Sequence, residues 1–307
     1  MRNLAGENLT TAWAPAKINL YLQVGPPGPG GLHPVDSMVM FADTRAADRV
    51  SVRNNPQMEL LVEGPAGKAL RGAPNNLALA AAKVLRDATD RMGLGAHITL
   101  HKCLPIAGGV GGGSSDAAAT LHVLNRMWDI NFGAEALEKL AEQLGADVPA
   151  CVRRRPLVMR GAGEKLFDVE APDLPVVLVN PGAQVETRKV FERFDQIGGG
   201  VGLGNMAPPR GRTPVDFADA LAEYRNDLEK PATQLCGDIP KALAALRGER
   251  GCLIARMSGS GATCFGLFAT EAEAQAAAQS ISERRRKYWV VATVLRGSGG
   301  AHDASLH

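Results

Sequence analysis

Between Lys17 and Val24, apolar Ile18, Leu20, Leu22 and Val24 alternate with Lys17, Asn19, Tyr21 and Gln23, the period-two pattern of a strand with one buried face. Residues two apart in a strand share a face, so Lys17 and Asn19 emerge side by side. The Gly/Pro run from Gly25 to Gly31 cannot prolong that strand. Asp48–Val52, Met58–Val62 and His97–Lys102 predict further strands, as do Leu157–Met159 and Val176–Asn180. Asn75–Met92 sets Leu77, Ala81, Val84, Leu85 and Ala88 on one helical face and is stopped by Gly93 and Gly95. Ser115–Trp128 and Ala134–Leu144 predict two more helices, the second ended by Gly145. In the second half, Asp216–Leu228, Ile239–Leu246 and Glu271–Arg285 predict helices. Arg256–Phe268 reads as strand, Gly/Ser turn, strand, and Trp289–Leu295 as the last strand.

Strands and helices do not alternate in regular βαβ units, so the order argues for an α+β class over a doubly wound sheet. A chain of 307 residues is long for one core and suits two domains. Gly161, Gly163 and Pro172 cluster where one would end, giving expected units of 1–166 and 167–307. The Gly/Pro-rich segment Ile197–Arg212 reads as a mobile surface loop, and the tail after about residue 297 as disordered.

Charge and cysteines narrow the classes. A formal net charge of +2 gives no pull toward nucleic acid or a membrane surface. Five cysteines without a CxxC pair point to free thiols in a reducing compartment, not to a disulfide framework or a structural zinc site. The N-terminal stretch has no apolar signal core and no run is long enough for a membrane helix, so the expected location is cytoplasmic. His97, His101 and His122 show no metal-ligand spacing and read as structural. Arg153–Arg155 and Arg284–Lys287 read as solvated basic runs.

The strongest chemical signal is Leu104–Ala119, LPIAGGVGGGSSDAAA, between a strand and an Ala-rich helix. Glycines let backbone N–H groups come close to a ligand, and a helix N-terminus adds open donors and partial positive charge. Together they form a phosphate cradle, to which Ser114 or Ser115 can add a hydroxyl for a phosphate or a magnesium ion. A flexible linker would not abut a strand and a helix so directly. No GK[ST] follows, so this is not a Walker A loop, and no acidic residue in a βαβ unit makes it a dinucleotide fingerprint.

The glycine loop resembles the second motif of the GHMP kinases. Pro15-Ala16-Lys17-Ile18-Asn19-Leu20, Gly145-Ala146-Asp147-Val148-Pro149 and Ser258-Gly259-Ser260-Gly261-Ala262-Thr263-Cys264-Phe265 resemble the other motifs of the branch acting on a cytidylylated methylerythritol in isoprenoid precursor synthesis. Asn226-Asp227-Leu228-Glu229 also fits, and the order holds from about residue 13 to residue 295. The resemblance implies a two-domain fold, ribosomal-S5-like then ferredoxin-like. It also implies an ATP-dependent kinase that uses Mg2+ and phosphorylates the 2-hydroxyl of its small-molecule substrate, as a monomer or homodimer. A GHMP kinase acting on a sugar or on homoserine is the alternative.

On spacing alone Asp147 is a helix cap and Lys17 a strand lysine; the resemblance implies that Asp147 is the general base and that Lys17 sits beside it. It assigns the nucleotide to Lys102, Pro105, Ile106, Ala107, Gly108, Gly109, Val110, Gly111, Gly112, Gly113, Ser114 and Ser115, although Lys102 reads equally as an exposed strand-end lysine. Asn19 and Thr187 fall on the substrate side. Where the family has Gly-Tyr-His to hold cytosine, this chain has Gly31-Leu32-His33, so the histidine is kept and the stacking ring is replaced by Leu32. The Gly259–Thr263 turn is expected to shape the cleft. The metal ligands are left unassigned.

Overall fold

The computed structural model describes residues 9–28, 30–70, 72, 75–199, 202–203 and 206–299. Three sheets organise it. The first orders Thr10–Pro15, Ala47–Asn54, Ala96–His101 and Met58–Glu63, antiparallel except for the last pair. The second orders Lys17–Asn19, Val35–Phe41, Leu157–Gly161 and Lys165–Asp168, with Gln23–Val24 also on Val35–Phe41. The third is antiparallel throughout: Cys252–Met257, Cys264–Phe268, Leu174–Asn180 and Trp289–Leu295. Helices pack against these sheets, in the two-domain α+β arrangement that the element order implies.

The first core forms where the helices Leu77–Asp87 and Gly112–Met127 cover the first sheet. Both helices put small residues into this core, Ala78, Ala81 and Ala82 from one and Ala117, Ala118 and Ala119 from the other, which suits close packing. The second core joins the second and third sheets: Ile18, Leu20, Met38 and Met40 meet Val176, Leu178, Phe265 and Leu295. The third lies on the other face of the last sheet, under the helices Thr187–Gln196, Asp238–Arg247 and Glu271–Arg284. A shared core, and not a linker, therefore joins the two halves.

Sequence and structure differ at instructive places. The strand expected over Lys17–Val24 is broken into Lys17–Asn19 and Gln23–Val24. It breaks because Leu22 leaves the sheet: its N–H donates to the Arg225 carbonyl and its carbonyl accepts from the Asp227 N–H. Both faces of the segment are buried, which the alternation does not predict. The strand Val35–Phe41 had no clear pattern, because Asp36 and Ser37 interrupt its apolar run. Both are buried and paired, Asp36 with Tyr21 and Arg160, Ser37 with Asn19 and the Tyr21 carbonyl. Lys165–Asp168 straddles the expected division at 166/167 and pairs with Leu157–Gly161, so we propose that the division falls between Asp168 and Leu174.

Near the start of the tail expected to be disordered, two backbone groups are tied down. The Gly297 N–H donates to Asp173 Oδ1 at 2.7 Å and the Ser298 N–H to the Ala171 carbonyl at 3.0 Å. Residues 300–307 lie outside the described residues. So do Gly200, Val201, Gly204 and Asn205 of the Gly/Pro-rich loop, whose later part is tied down: the Ala207 carbonyl accepts from the Tyr224 hydroxyl and Met206 packs on the second core.

Polar ties reinforce the shared core. The Asp43 carboxylate takes the Thr293 hydroxyl at 2.8 Å and the fork of the Arg45 guanidinium. Burial pushes the Asp43 carboxyl up, but the hydrogen bonds from Arg45 and Thr293 outweigh it and hold the group below its ordinary 3.8. A carboxylate held low in the fold stabilises it fully above the unfolded value, and loses that stabilisation as pH falls through the folded value. Asp43→Asn should cost about 1.5–3 kcal/mol at neutral pH, by the worth of hydrogen bonds to a charged group. Urea unfolding should show the gap from wild type narrowing as the pH drops below 3.8. A gap independent of pH would contradict the assignment.

Candidate active site

A cleft of about 680 Å³ opens between the two halves. Its walls are the strand Lys17–Asn19, the glycine loop, the turn 144–147, the start of the helix Thr187–Gln196 and the turn at Gly259 and Ser260. The helix after the glycine loop starts at Gly112, inside the glycine run and earlier than Ser115. Gly111 takes the N-cap position at φ 62°, in the left-handed region, and no side chain caps the helix. First-turn N–H groups have no partner within a helix, so here they are available to an anion.

Two glycines explain the close packing around the loop. A Cβ on Gly111 would come within 3.1 Å of Lys17 Cβ and Cε, so a side chain there would press on the lysine that passes beneath the loop. Gly109, at φ 72°, approaches the Ser258–Thr263 turn so closely that a Cβ would stand 2.5 Å from the Ser258 carbonyl. Hydrogen bonds fix that contact. The Thr263 N–H donates to the Gly108 carbonyl at 2.9 Å, and Ser258 Oγ donates to the Gly109 carbonyl at 2.9 Å while accepting from the Asn19 N–H at 3.1 Å. Asn226 holds the turn from behind, donating to the carbonyls of Met257 and Gly259.

Lys17 is 3% exposed, and its backbone N–H donates to the Val110 carbonyl. Its ammonium lies 3.1 Å from Asp147 Oδ1 and 3.5 Å from Asn19 Oδ1, as the shared strand face predicts. Asp147 does stand at the start of the helix Val148–Arg153, but its side chain makes no capping bond. It is about half exposed, in the cleft. The Asn19 amide is oriented by Ser37, to which its Nδ2 donates at 2.8 Å.

Lys102 is not an exposed strand-end lysine. It is 3% exposed, and its ammonium binds Asp116 Oδ2 at 2.6 Å and Asp48 Oδ2. Asp48 Oδ1 accepts the N–H groups of Cys103 and Leu104 at 2.5 and 2.8 Å, fixing the entry of the glycine loop. Burial pushes the Asp116 carboxyl up to about 8; Lys102 opposes that shift and Asp48 adds to it. The two carboxylates outweigh the effect of burial on Lys102 and raise it.

Lys17, Asn19, Lys102, Asp147, Thr187, Pro105 to Gly109 and Gly111 to Ser114 all line the cleft. Thr187 Oγ1 is 2.8 Å from Ser260 Oγ. Val110 faces the second core, and Ser115 Oγ donates to the Pro15 carbonyl, so neither side chain turns to the cleft. Leu32 and His33 do not line it either. Leu32 is 68% exposed. His33 lies with Nδ1 2.8 Å from the Gly25 carbonyl, Nε2 3.2 Å from Asp195, and its ring 5.3 Å from that of Phe191. Phe191 itself does line the cleft.

Phe191, Asp116, Asp48 and Ser37 are the site residues that the sequence does not reveal. The helix Thr187–Gln196 buries Val190 and Phe194 four residues apart, and Phe191 is the next position round, a signal hidden in a short, charged segment. Among the described residues no three His, Cys, Asp or Glu side chains form a metal site. A magnesium ion carried by phosphates needs only one or two protein oxygens. The Ser114 hydroxyl and Asp116, whose buried Oδ1 has no hydrogen-bond partner, suit such an ion. No helix among the described residues is long and apolar enough to cross a membrane.

The GHMP kinases N terminal domain family matches residues 76–155 and the GHMP kinases C terminal family residues 212–287. The chain is 42% identical, over 93% of its length and 96% of the relative's, to the 4-diphosphocytidyl-2-C-methyl-D-erythritol kinase of Hyphomonas neptunium. It is 41% identical to the enzyme of that name from Parvibaculum lavamentivorans, over 94% of this chain and 98% of that one. A crystal structure of 4-(cytidine 5'-diphospho)-2C-methyl-D-erythritol kinase superposes with a TM-score of 0.75 at 32% identity, covering 94% of this chain and all of that one. With loop, fold and relatives in agreement, the chain belongs to the 4-diphosphocytidyl-2-C-methyl-D-erythritol kinase family of the GHMP kinases and is an ATP-dependent small-molecule kinase.

Proposed function

We propose that the chain transfers the γ-phosphate of ATP to the 2-hydroxyl of 4-diphosphocytidyl-2-C-methyl-D-erythritol. The observation that carries the reading is the Lys17–Asp147 pair, 3.1 Å apart on the cleft wall, with the uncapped start of the helix Gly112–Met127 lining the same cleft. The acceptor is supported by the relatives' shared name, at 41–42% identity over nearly the whole chain.

Each residue's role follows from its surroundings. The glycine loop binds the phosphates through backbone N–H groups, which need no reorganisation as charge develops. Magnesium bound with the nucleotide would neutralise phosphate charge. Asp147, uncommitted to its helix, accepts the acceptor hydroxyl's proton as the new bond forms. Lys17, held under Gly111, keeps that carboxylate in place and lends positive charge next to the transferred group. Asn19 and Thr187 hold the acceptor through hydrogen bonds. Phe191 offers a ring face in the cleft on which a pyrimidine base can stack.

Asp147→Asn should bind ATP as wild type does and lose roughly 10²–10⁴-fold in kcat, the range for losing a general base. Isothermal titration with ATP and a coupled ADP-release assay check the two halves; near wild-type kcat would sink the assignment. The same assay, run in parallel with homoserine, mevalonate and galactose, tests the acceptor, and turnover of one of these alone would replace it. Phe191→Ala should raise KM for the cytidylylated acceptor roughly tenfold, by the worth of one stacked base. KM for ATP should stay put, and Leu32→Ala should change neither constant. A Leu32 effect larger than that of Phe191 would reverse the assignment.

A further inference from the structure

Beneath the phosphate cradle lies a cluster whose partners do not balance. Asp48 is fully satisfied, with Oδ1 taking two backbone N–H groups and Oδ2 taking Lys102. Asp116 is half satisfied. Its Oδ2 takes Lys102 at 2.6 Å, while its Oδ1 is buried and has no hydrogen-bond partner, in a residue only 3% exposed. A buried acceptor without a donor costs about 1–3 kcal/mol, and native chains that keep one usually place a water or an ion on it.

Position favours an ion over a water. Asp116 lies one turn into the helix Gly112–Met127, behind its open start, and it lines the same cleft as the phosphate loop. There the helix end attracts phosphate, while a carboxylate directly behind it opposes a bare anion. Both are served when the anion brings a divalent cation. Of the two loop serines, only Ser114 is available to the cleft, since Ser115 Oγ is spent on the Pro15 carbonyl.

We propose that Asp116, through Oδ1, is the protein carboxylate that binds the divalent cation arriving with the nucleotide, aimed by Lys102 through Oδ2 and aided by the Ser114 hydroxyl. Magnesium takes hard oxygen ligands and often only one or two from the protein, which this arrangement supplies. Lys102 is then a positioning residue, acting through the carboxylate that it holds. The inference rests on the kinase reading.

Calorimetric titration of ADP, with Mg2+ or with EDTA, tests it on wild type and on Asp116→Asn. Wild type should gain affinity on adding Mg2+, within the roughly 5–150-fold span usual for coupled ligands. Asp116→Asn should lose most of that gain, read as the ratio of its own ADP affinities with Mg2+ and with EDTA. A variant that keeps the full gain overturns the proposal, as does a wild type that gains nothing. Crystals of the wild-type protein with ADP and Mn2+ test it with no substitution. An anomalous peak within about 2.2 Å of Asp116 Oδ1 is expected from hard-cation geometry. Manganese held by phosphates alone, with water on Asp116 Oδ1, overturns it. The kinase reading fails separately, by absent turnover of ATP in wild type; turnover with the gain intact in Asp116→Asn removes only the metal assignment.

Discussion

The site depends on one small interlock, the hydroxyl of Ser258 between the Asn19 N–H and the Gly109 carbonyl. Three segments far apart in the chain meet at that oxygen: the first strand of the second sheet, the phosphate loop, and the turn between the strands Cys252–Met257 and Cys264–Phe268. No side chain at position 109 could be accommodated there, because the Ser258 carbonyl occupies the place of its Cβ. A loop of small residues has high entropy when free. Here it is fixed by its neighbours and not by its own sequence. The Thr263 N–H and the Lys17 N–H take the carbonyls of Gly108 and Val110, so three successive loop carbonyls point away from the cleft. Those bonds turn carbonyls outward and leave N–H groups for the cleft, which is what an anion requires.

The two buried lysines show how one charge type serves two ends. Lys17 pairs with a single carboxylate, that of Asp147, which is 44% exposed. That carboxylate keeps an open side toward the cleft while Lys17 holds it. Lys102 pairs with two carboxylates that are almost wholly buried. Leaving them unpaired would strand charge in a low dielectric, so the cluster holds together as a unit. Its members come from the strand Ala47–Asn54, the end of Ala96–His101 and the second turn of Gly112–Met127. It thereby sets the separation between the two ends of the phosphate loop.

Much of this was legible because local chemistry and global fold agreed. The Lys17–Asn19 face, the glycine loop and the turn holding Asp147 are each short, and each has a composition that admits few alternatives. What escaped was polar and buried. Asp36, Ser37, Asp48 and Asp116 break hydrophobic patterns yet lie inside, because each finds hydrogen-bond donors or acceptors from segments distant in sequence. A periodicity argument counts such residues as solvent-facing. The break at Leu22 escaped for a related reason: its backbone partners, Arg225 and Asp227, lie some 200 residues away.

The helix Thr187–Gln196 shows how an aromatic ring is fixed at the cleft where the glycine-proline loop supplies none. Leu32 replaces an aromatic ring that the family places against the base, and it points into solvent. The next residue, His33, packs its ring on Phe191 and Phe194 and sets Nε2 against Asp195, all on the helix Thr187–Gln196. These contacts fasten the chain at His33 to that helix. The same helix begins at Thr187, which is tied to Ser260 of the interlocking turn. Phe191 is therefore held from two sides, by the loop and by the turn, with its ring at the cleft. An aromatic wall fixed in this way is paid for by folding and not by the ligand, so a base can stack on it without ordering a second ring.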